Sequence, residues 1–489
     1  MSGRGQVRLL AGALAACVAV GCAVGPDFKR PAPPTDSGYG SAAPSGAIGT
    51  QDGSAQRLVS GMDVPARWWE AFRSPELDRL VEQALAANPD VRAAQAALRQ
   101  SHELYLAQRA SFLPNVQGSF GADRSEFPTG TLTSPTTASS ATYSLYTGQL
   151  TLTYLPDVFG ATRRAVEAAK AEEQVSRFQL EAARVTLASN VVVTAISEAS
   201  LRGQIESTKR LLELEHRLTD TVEHQRGLGT ASDLDVLSQQ SAEAVLAQTL
   251  PPLEKQLGQA RDALTALLGR LPAEEPLETF TLEDLTLPSE LPVSIPSKLV
   301  EQRPDVRQAE ENLHAASASV GVAIADMLPQ FAITGDIGSN ALKLGQLFTT
   351  HTGFWDAGAS LTQTLFDAGQ LLHRKRAADA ALDEAGAQYR SAVILACQNV
   401  ADTLRALGAD ADALRASRAA EEAARRTFEL ARRQRELGTL SLVAVVNAEL
   451  AADQAALAVI QAKAGRYADT AGLFQALGGG WWNRGEEAR

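Results

Sequence analysis

Residues 88–98 read NPDVRAAQAAL and residues 303–313 read RPDVRQAEENL, so one stretch of the sequence occurs twice. A second pair of blocks follows in the same order, QRGLGTAS at 225–232 and QRELGTLS at 434–441. Chance similarity in an alanine-rich helical protein would not keep such blocks in order with one consistent change of spacing. The sequence therefore predicts an internal duplication in which each copy is one structural unit.

The blocks at 88–98 and 303–313 each begin a predicted helix, because proline suits the first turn of a helix. After each of these helices, apolar and polar residues alternate. A period of two is typical of β-strands with one apolar face. Strands of about ten residues can cross a bilayer at a tilt, although an alternating hairpin packed on a soluble core would show the same pattern. The alternating positions are Val116, Gly118, Phe120, Ala122, Tyr146, Gly148, Leu150, Leu152 and Tyr154 in the first copy, and Phe331, Ile333, Gly335, Ile337, Trp355, Ala357, Ala359 and Leu361 in the second.

Two very long helices are predicted next. Residues 161–226 contain no proline and one glycine, Gly203, which corresponds to roughly 100 Å of helix at the usual rise per residue. The second copy has the same character over 370–436. Apolar residues at steps of three and four predict a packed seam on each helix, and Cys397 is expected to be a buried packing residue of that seam. The seam positions are Val185, Ala188, Val192, Ala195 and Ala199 in the first copy, and Ile394, Cys397, Ala401 and Leu404 in the second.

Each long helix is followed by a turn that contains glycine, at 227–230 and at 437–439. Glycine tolerates the positive φ with which many helices end, so the chain is expected to reverse at both places. A returning helix then runs to Gly269 in the first copy and to Gly478 in the second.

The N-terminus has the pattern of a secretory signal. Arg4 and Arg8 precede a short apolar stretch that is too short to span a membrane. Residues 19–22, AVGC, resemble a lipobox, and Cys17 fits the same pattern, so both cysteines remain candidates for lipidation. Cys22 is favoured because it leaves the longer apolar stretch and begins the mature chain at CAVGPDFKRP. The prediction is a lipid-anchored protein of the periplasm or outer membrane; the alternative is a plain signal peptide with incidental cysteines.

Composition excludes several classes of protein. The 489 residues carry a net charge of −12, which argues against nucleic-acid binding. Beyond the N-terminus no uninterrupted apolar run reaches about 18 residues, so a protein of many membrane-spanning helices is excluded, but a membrane β-barrel is not. The six histidines form no metal-spaced cluster, and there is no phosphate-binding loop or nucleophile elbow. We therefore predict that the protein is not an enzyme and needs no cofactor or metal.

Four strands per chain cannot close a barrel, and an open sheet edge is not tolerated in lipid. If the strands enter a membrane, subunits must share one barrel: two chains would supply eight strands and three would supply twelve. A barrel of eight strands is filled by side chains, whereas a larger one leaves an aqueous channel. The helices would continue below it as a hollow cylinder, so the residues predict a long conduit from the outer membrane into the periplasm.

A family resemblance makes this picture more specific. The chain resembles the TolC-like outer-membrane efflux factors, in particular the lipoprotein (NodT-type) subgroup of resistance-nodulation-division tripartite multidrug efflux pumps. The resemblance implies a mainly α fold with transmembrane β-strands: a homotrimer with a twelve-stranded outer-membrane β-barrel on a long periplasmic α-helical barrel. It also implies three partners, namely a periplasmic adaptor (membrane fusion) protein, an inner-membrane proton-driven transporter and outer-membrane lipid. The motifs that carry it are CAVGPD at 22–27, WWEAF at 68–72, NPDV at 88–91, DVFG at 157–160, RPDV at 303–306, FDAG at 366–369 and LFQALGGGW at 473–481.

The resemblance implies the function of an exit duct, which passively conducts small toxic compounds such as drugs to the cell exterior. Two alternatives remain: a general porin, which would need no partner, and a structural coiled-coil lipoprotein without a pore. The expected division of the chain is a signal peptide at 1–21, a lipid-anchored linker at 22–62 whose residues 31–60 form a tether, a first repeat at 63–270 (hairpin about 115–155, long helix 161–226), an inter-repeat linker at 271–297, a second repeat at 298–480 (hairpin about 330–365, long helix 370–436) and a tail at 481–489.

The predicted functional residues lie at the two helical turns. Asp233 and Asp235 follow the first turn and would form rings of three carboxylates in a trimer, which would favour cations at a periplasmic gate. The alternative is that they only complement the dipole of a helix first turn. The resemblance implies an inward aspartate at the second turn, where this chain has Asn447, so that ring keeps its polarity without its charge. The turns are also the predicted adaptor contacts, through Gly227, Gly229, Thr230, Gly438 and Thr439. Trp68, Trp69, Trp481 and Trp482 are expected to pack rather than bind ligand.

Overall fold

A computed structural model describes residues 23–35, 38–39, 47–48, 55–128, 140–274 and 280–484. The chain divides into two compact units, and both copies of the duplication contribute to each. The first, here called the sheet unit, comprises Met1–Arg30, Leu98–Val175 and Ala309–Tyr389. The second, the helical unit, comprises Pro31–Ala97, Ser176–Gln308 and Arg390–Arg489.

The described elements are seven strands and nine α-helices, with short 3-10 turns between them. The strands are β1 (Ala47–Ile48), β2 (Gln56–Ser60), β3 (Asn115–Pro128), β4 (Ser140–Tyr154), β5 (Glu290–Val293), β6 (Gln330–Ala341) and β7 (Gly353–Thr362). The helices are α1 (Pro75–Ala87), α2 (Pro89–Ala110), α3 (Ala161–Gly227), α4 (Asp233–Ala247), α5 (Leu250–Leu267), α6 (Pro296–Gln302), α7 (Pro304–Ala325), α8 (Gln370–Glu436) and α9 (Leu442–Ala476).

The sheet unit contains one antiparallel sheet with the strand order β3-β4-β6-β7. Leu150 lies opposite Gly118 on β3 and opposite Ile337 on β6, and Ile337 lies opposite Trp355 on β7. This register gathers the alternating apolar residues on one face, as the sequence predicted. Within one chain the face is uncovered, since the exposed fractions of Leu150, Ile337 and Trp355 are 52%, 63% and 78%. The opposite face is polar and carries Gln117, Gln149, Thr151, Thr153, Thr334, Asp336 and Asp356.

The helical unit shows the duplication directly. The residue before the proline of each repeated block donates a side-chain hydrogen bond to the last turn of a returning helix: Asn88 Nδ2 to Leu267 O at 2.9 Å, and Arg303 to Ala476 O at 3.0 Å. Both returning helices end at a glycine in the left-handed region, Gly269 and Gly478, each so close to a backbone carbonyl that a Cβ would lie 2.8 Å from it. Two unlike side chains, an amide and a guanidinium, thus perform the same capping role.

The predicted seam is confirmed in the first copy and partly wrong in the second. All five predicted positions of α3 are buried, whereas Ile394 of α8 is 59% exposed and Cys397 is partly exposed. Leu404 is buried as predicted, and the other buried positions of this stretch are Ala396, Val400 and Leu407. The sequence offers two adjacent apolar stripes here, and Leu404 belongs to both.

The first returning helix is broken, contrary to the prediction of one continuous run to Gly269. Helix α4 ends at Ala247 and α5 begins at Leu250. Pro251 lies in the first turn of α5, where a missing backbone N–H is tolerated, whereas inside a longer helix it would remove a hydrogen bond and clash with the preceding turn. The second copy has no such proline and α9 is continuous.

Both predicted linkers contain strands. Strand β2 pairs in parallel with β5 and antiparallel with β1, so part of the predicted tether at 31–60 is folded. The buried guanidinium of Arg466 on α9 donates to Gln56 Oε1 at 3.2 Å and to Ile48 O at 3.1 Å. These strands are too short to show a clear alternation, and Arg466 connects both of them to α9.

The tryptophans pack as expected. Trp68 stacks on Phe474 with ring centroids 5.3 Å apart, and Trp481 meets Phe178 edge to face at 5.7 Å.

Two helices of the described chain, α3 and α9, contain a window of 18 residues that is apolar enough to cross a membrane by length and composition. The sequence contains no uninterrupted apolar run of that length in these helices. The two results differ because the mean hydropathy of a window can be high when alanine and valine dominate it, even if it includes polar residues. About half of the α3 window is buried inside the protein. A helix that packs in a protein core passes the same test of length and composition, so the test alone does not make α3 a membrane-spanning helix.

Candidate functional site

The first helical turn closes with two backbone hydrogen bonds of the Schellman type. Gly229 N–H donates to Arg226 O at 2.9 Å, and Thr230 N–H donates to Gln225 O at 2.9 Å. Gly229 has a φ of +76°, the left-handed conformation that glycine adopts without strain. Thr230 Oγ1 also donates to Gln225 O at 3.0 Å. Each of these donors is thus satisfied within the turn.

The second turn repeats this geometry. Gly438 has a φ of +74°, and its N–H donates to Arg435 O at 2.9 Å. Thr439 donates to Gln434 O through both its N–H and its hydroxyl, each at 2.9 Å. The shared sequence Gln-Arg-x-Leu-Gly-Thr-x-Ser therefore specifies one local structure twice.

Sequence reasoning missed two leucines at these turns. Leu228 and Leu437 occupy equivalent positions, and their exposed fractions are 67% and 78%. The sequence did contain a signal for them, because a large apolar residue occurs at the same position of both predicted turns. Each turn therefore presents an exposed apolar side chain beside a hydrogen-bonded backbone.

Asp235 caps helix α4. It accepts hydrogen bonds from Ser232 N–H at 2.8 Å and from Ser232 Oγ at 2.7 Å, and its own N–H donates to Ser232 Oγ at 3.3 Å. The bond from the Ser232 backbone holds the pKa of Asp235 below its ordinary value. Asp235 therefore closes a capping box in the first turn of α4, where a carboxylate also complements the helix dipole, and its side chain is exposed.

Asp233 is 84% exposed in its side chain and pairs with Arg226 across the turn at 3.3 Å. On α9, Asn447 is exposed. Its neighbour Val446 packs in a cluster with Leu211 and Leu218 of α3. The predicted gate residues therefore lie at the ends of packed helices with their polar groups open to solvent.

We expect Gly229→Ala and Gly227→Ala to have opposite effects. Alanine at position 229 must adopt the left-handed conformation, at a cost of about 1–2 kcal/mol. Gly227 is the last residue of α3, no atom lies within 4 Å of the position of an added Cβ, and its φ is not positive, so alanine there should stabilise the protein by up to about 1 kcal/mol. Hydrogen exchange of the amides at 228–230 measures both. Equal effects of the two substitutions would contradict this account of the turn.

The strand-to-helix junctions of the sheet unit use another repeated aspartate. Asp157 accepts from the N–H groups of Thr162 and Arg163 at 2.9 and 3.0 Å. Asp367 accepts from those of Gly369 and Leu371 at 2.9 and 2.7 Å. Both carboxylates therefore cap the start of a long helix directly after a strand of the sheet.

Two further predictions concern lipid and metal. Cys22 lies outside the described residues. Within the part of the chain that the structure describes, no three His, Cys, Asp or Glu side chains are grouped closely enough to hold a metal ion.

The chain matches the model of the outer membrane efflux protein family over residues 80–270 and 295–479. A pyoverdine export outer membrane protein of Pseudomonas putida, OpmQ, is 30% identical over 457 residues, which are 93% of this chain and 94% of the relative. A toluene efflux pump outer membrane protein of Pseudomonas putida, TtgF, is 29% identical over 467 residues, or 95% of each chain.

Solved structures give the same result. The outer-membrane channel OprN is 27% identical and superposes with a TM-score of 0.81, covering 94% of this chain and 100% of OprN. The CmeC outer membrane channel of Campylobacter jejuni has a TM-score of 0.81 at 21% identity, with coverage of 96% and 97%; this likeness concerns the fold. The mostly helical chain with its four-stranded sheet thus has the fold of outer-membrane channels.

Proposed function

This chain belongs to the outer membrane efflux protein family, and from that premise we propose that three copies form one exit duct through the outer membrane and the periplasm. The duct passively conducts small toxic compounds, drugs among them, that an inner-membrane transporter delivers. The observation that carries the proposal is the two-faced sheet with two free edges.

The edges of the sheet support a shared barrel. In the described chain β3 and β7 are the outer strands of the order β3-β4-β6-β7. Unpaired backbone groups in hydrocarbon cost several kcal/mol each, so membrane-spanning sheets close on themselves. Three copies contribute twelve strands, enough to leave an aqueous lumen. The apolar face then meets lipid, and the face with Thr151, Thr334 and Asp336 lines the channel.

The helical turns are the proposed contact with a periplasmic adaptor protein. Gly227, Gly229, Thr230, Gly438 and Thr439 belong to two turns with the same backbone hydrogen bonds, each with an exposed leucine. An adaptor that recognises one turn can also recognise the other, so one trimer offers six similar contacts. The adaptor would link the duct to a proton-driven transporter of the inner membrane, and that transporter selects the cargo.

Relatives with different cargo names support this division of labour. The names of the two relatives refer to pyoverdine export and toluene efflux, although both are similar to this chain over nearly their full length. A duct of nearly the same construction therefore suits unlike small molecules.

We further propose that Cys22 carries the lipid anchor and that Asp233, Asp235 and Asn447 form a polar constriction at the periplasmic end. The exposed carboxylates of Asp233 and Asp235 support the constriction, because two rings of negative charge attract cations and can be bridged by Arg226. Asn447 would add a ring without charge.

Single-channel recording in planar bilayers tests the duct and the constriction together. The purified protein should conduct, and Asp233→Ala combined with Asn447→Ala should raise the conductance by widening the narrowest point and removing its hydrogen bonds. Asp262→Ala, which removes one charge from an exposed position on α5, should leave conductance unchanged.

Each alternative has its own outcome in this experiment. No conductance from the wild-type protein would indicate a structural lipoprotein. A large conductance that the double substitution does not change would indicate an open porin, and the gate assignment would be wrong.

A further inference from the structure

The segment Ala23–Arg30, here called the strap, is bound to the sheet unit by its own backbone. Val24 N–H donates to Phe159 O at 3.0 Å, which joins the strap to the junction between β4 and α3. The segment follows directly on Cys22 in the sequence.

One buried arginine holds the strap. Arg164, in the first turn of α3, is only 4% exposed. Its Nε donates to Val24 O at 3.2 Å, and a terminal nitrogen lies 3.5 Å from Gly25 O and 2.6 Å from Asp27 Oδ1. The guanidinium thus binds two consecutive carbonyls and a carboxylate of the strap, while Glu167 accepts from its other nitrogen at 2.8 Å.

Three glycines make room for this contact. A Cβ on Gly25 would lie 2.4 Å from Gly321 Cα, and one on Gly160 would lie 2.6 Å from Ala23 Cα. A Cβ on Gly321 would lie 2.8 Å from the side chain of Arg164. Gly25 also has a φ of +92°, so its backbone conformation and its close approach both require glycine. These three glycines line a slot that holds the strap, and none of the three positions has space for a side chain.

The far end of the strap is fastened separately. The ring of Phe28 stacks on His314 of α7 with centroids 4.3 Å apart and planes at 15°. Arg30 Nε lies 3.0 Å from Glu310 Oε1, a carboxylate whose side chain is 5% exposed. The strap is therefore held at both ends and in the middle.

We propose that the strap fixes the height of the lipid anchor and that Arg164 is its positioning residue. The proposal rests on the proposed outer-membrane function and on lipidation of Cys22. If the eight residues of the strap were free, the attachment point of the acyl chain could move by roughly 25–30 Å, the length of the extended segment. Because Ala23 lies against Gly160, in the junction between β4 and α3, an acyl chain on Cys22 would be attached one residue from a fixed point of the sheet unit.

Trypsin provides a direct test on the full-length protein in open outer-membrane fragments, whose periplasmic face the protease can reach. It can cleave between Lys29 and Arg30, but the next bond precedes Pro31 and resists it. Cleavage releases an acylated peptide of residues 22–29, which mass spectrometry identifies. Because a protease needs several residues of free backbone, release should be slow while the strap is docked.

Arg164→Met should accelerate this release about tenfold, as expected when a charged donor of several hydrogen bonds is lost. Lys170→Met is the matched control, since Lys170 is an exposed cation on the same helix and should change nothing. Arg164→Lys should give an intermediate rate, because it keeps the charge opposite Asp27 but not the planar fork of donors. Gly25→Ala tests the slot from the strap's side and stays informative if Arg164→Met does not fold.

Equal release rates in wild type, Arg164→Met and Gly25→Ala would overturn the proposal. Release of a peptide without an acyl group would overturn it as well, since the strap would then hold no anchor. Conductance of protein purified from the same membrane preparations separates this from the proposed function. A conducting wild type with equal release rates rejects only the strap, whereas a wild type that never conducts rejects the duct.

Discussion

Leu150→Arg is expected to prevent the folded trimer from accumulating in the outer membrane. Leu150 lies on the central strand β4, between Gly118 and Ile337 on the apolar face of the sheet, and it is 52% exposed in the single chain. An arginine facing lipid near the middle of a membrane barrel costs about 2–4 kcal/mol. A trimer would bear this cost three times, which is comparable to the whole stability of many proteins.

Thr153→Arg is the matched control for this substitution. Thr153 lies on the same strand but on the polar face, opposite Asn115 and Thr334, where an arginine would extend into water. Heat-modifiable migration of the trimer and its recovery in outer-membrane fractions measure both variants. If Thr153→Arg were lost and Leu150→Arg tolerated, the apolar face would have to line the lumen.

The faces of the sheet could be predicted because successive residues of a strand point to opposite faces. Once the apolar residues are found at every second position, the face to which each residue belongs is determined. The turns could be predicted because the same eight-residue pattern occurs twice, with glycine at the position that needs a positive φ. In both cases the determinant is local, so it is visible in a few consecutive residues.

The parts that sequence reasoning missed depend on contacts between distant segments. Strand β2 has five residues, and its contacts are with β5 and with the buried side chain of Arg466, which lie far from it in the sequence. The seam of α8 was misplaced because Ala396 and Cys397 are both small and apolar, and only the neighbouring helices decide which is buried. The break between α4 and α5 had a local signal, Pro251 and Pro252, which was overlooked.

The candidate site divides in the same way. The turns and their acids could be found from the sequence, but the capping of α4 by Asp235 requires the positions of Ser232 N–H and Oγ. The docking of the strap on Arg164 could not be found, because the two segments are far apart in sequence and no periodic pattern connects them.

Arg466→Met is expected to destabilise the helical unit by about 3–5 kcal/mol, the cost of removing one partner from a buried charged network. The side chain of Arg466 is fully buried, and its loss would leave Gln56 Oε1 and Ile48 O without this donor. Strands β1 and β2 should then detach from α9. Hydrogen exchange of the amides at 57–60 is the measurement, and accelerated exchange confined to this sheet is the expected result.

Lys463→Met is the matched control, one turn earlier on the same helix. Lys463 lies 3.4 Å from Glu283, whose side chain is 74% exposed, and such pairs contribute at most about 1 kcal/mol. Its exchange pattern should resemble that of the wild type. If the two variants behaved alike, Arg466 would not be what holds the small sheet.

The cost of Arg466→Met should also depend on pH, because Arg466 acts on a neighbouring carboxyl. Burial raises the pKa of Asp410 to about 6, and both the hydrogen bond with Asp469 and the charge of Asp469 contribute to this rise. The charge of Arg466 opposes it. The folded state therefore binds this proton more tightly than the unfolded chain, so wild-type stability falls as pH rises from about 4 through 6. Without Arg466 the pKa of Asp410 would rise further, and ionising it would cost more. The variant should thus be closer to wild type at pH 5 than at pH 8, and a loss that is equal at both values would show that Arg466 does not compensate this carboxylate.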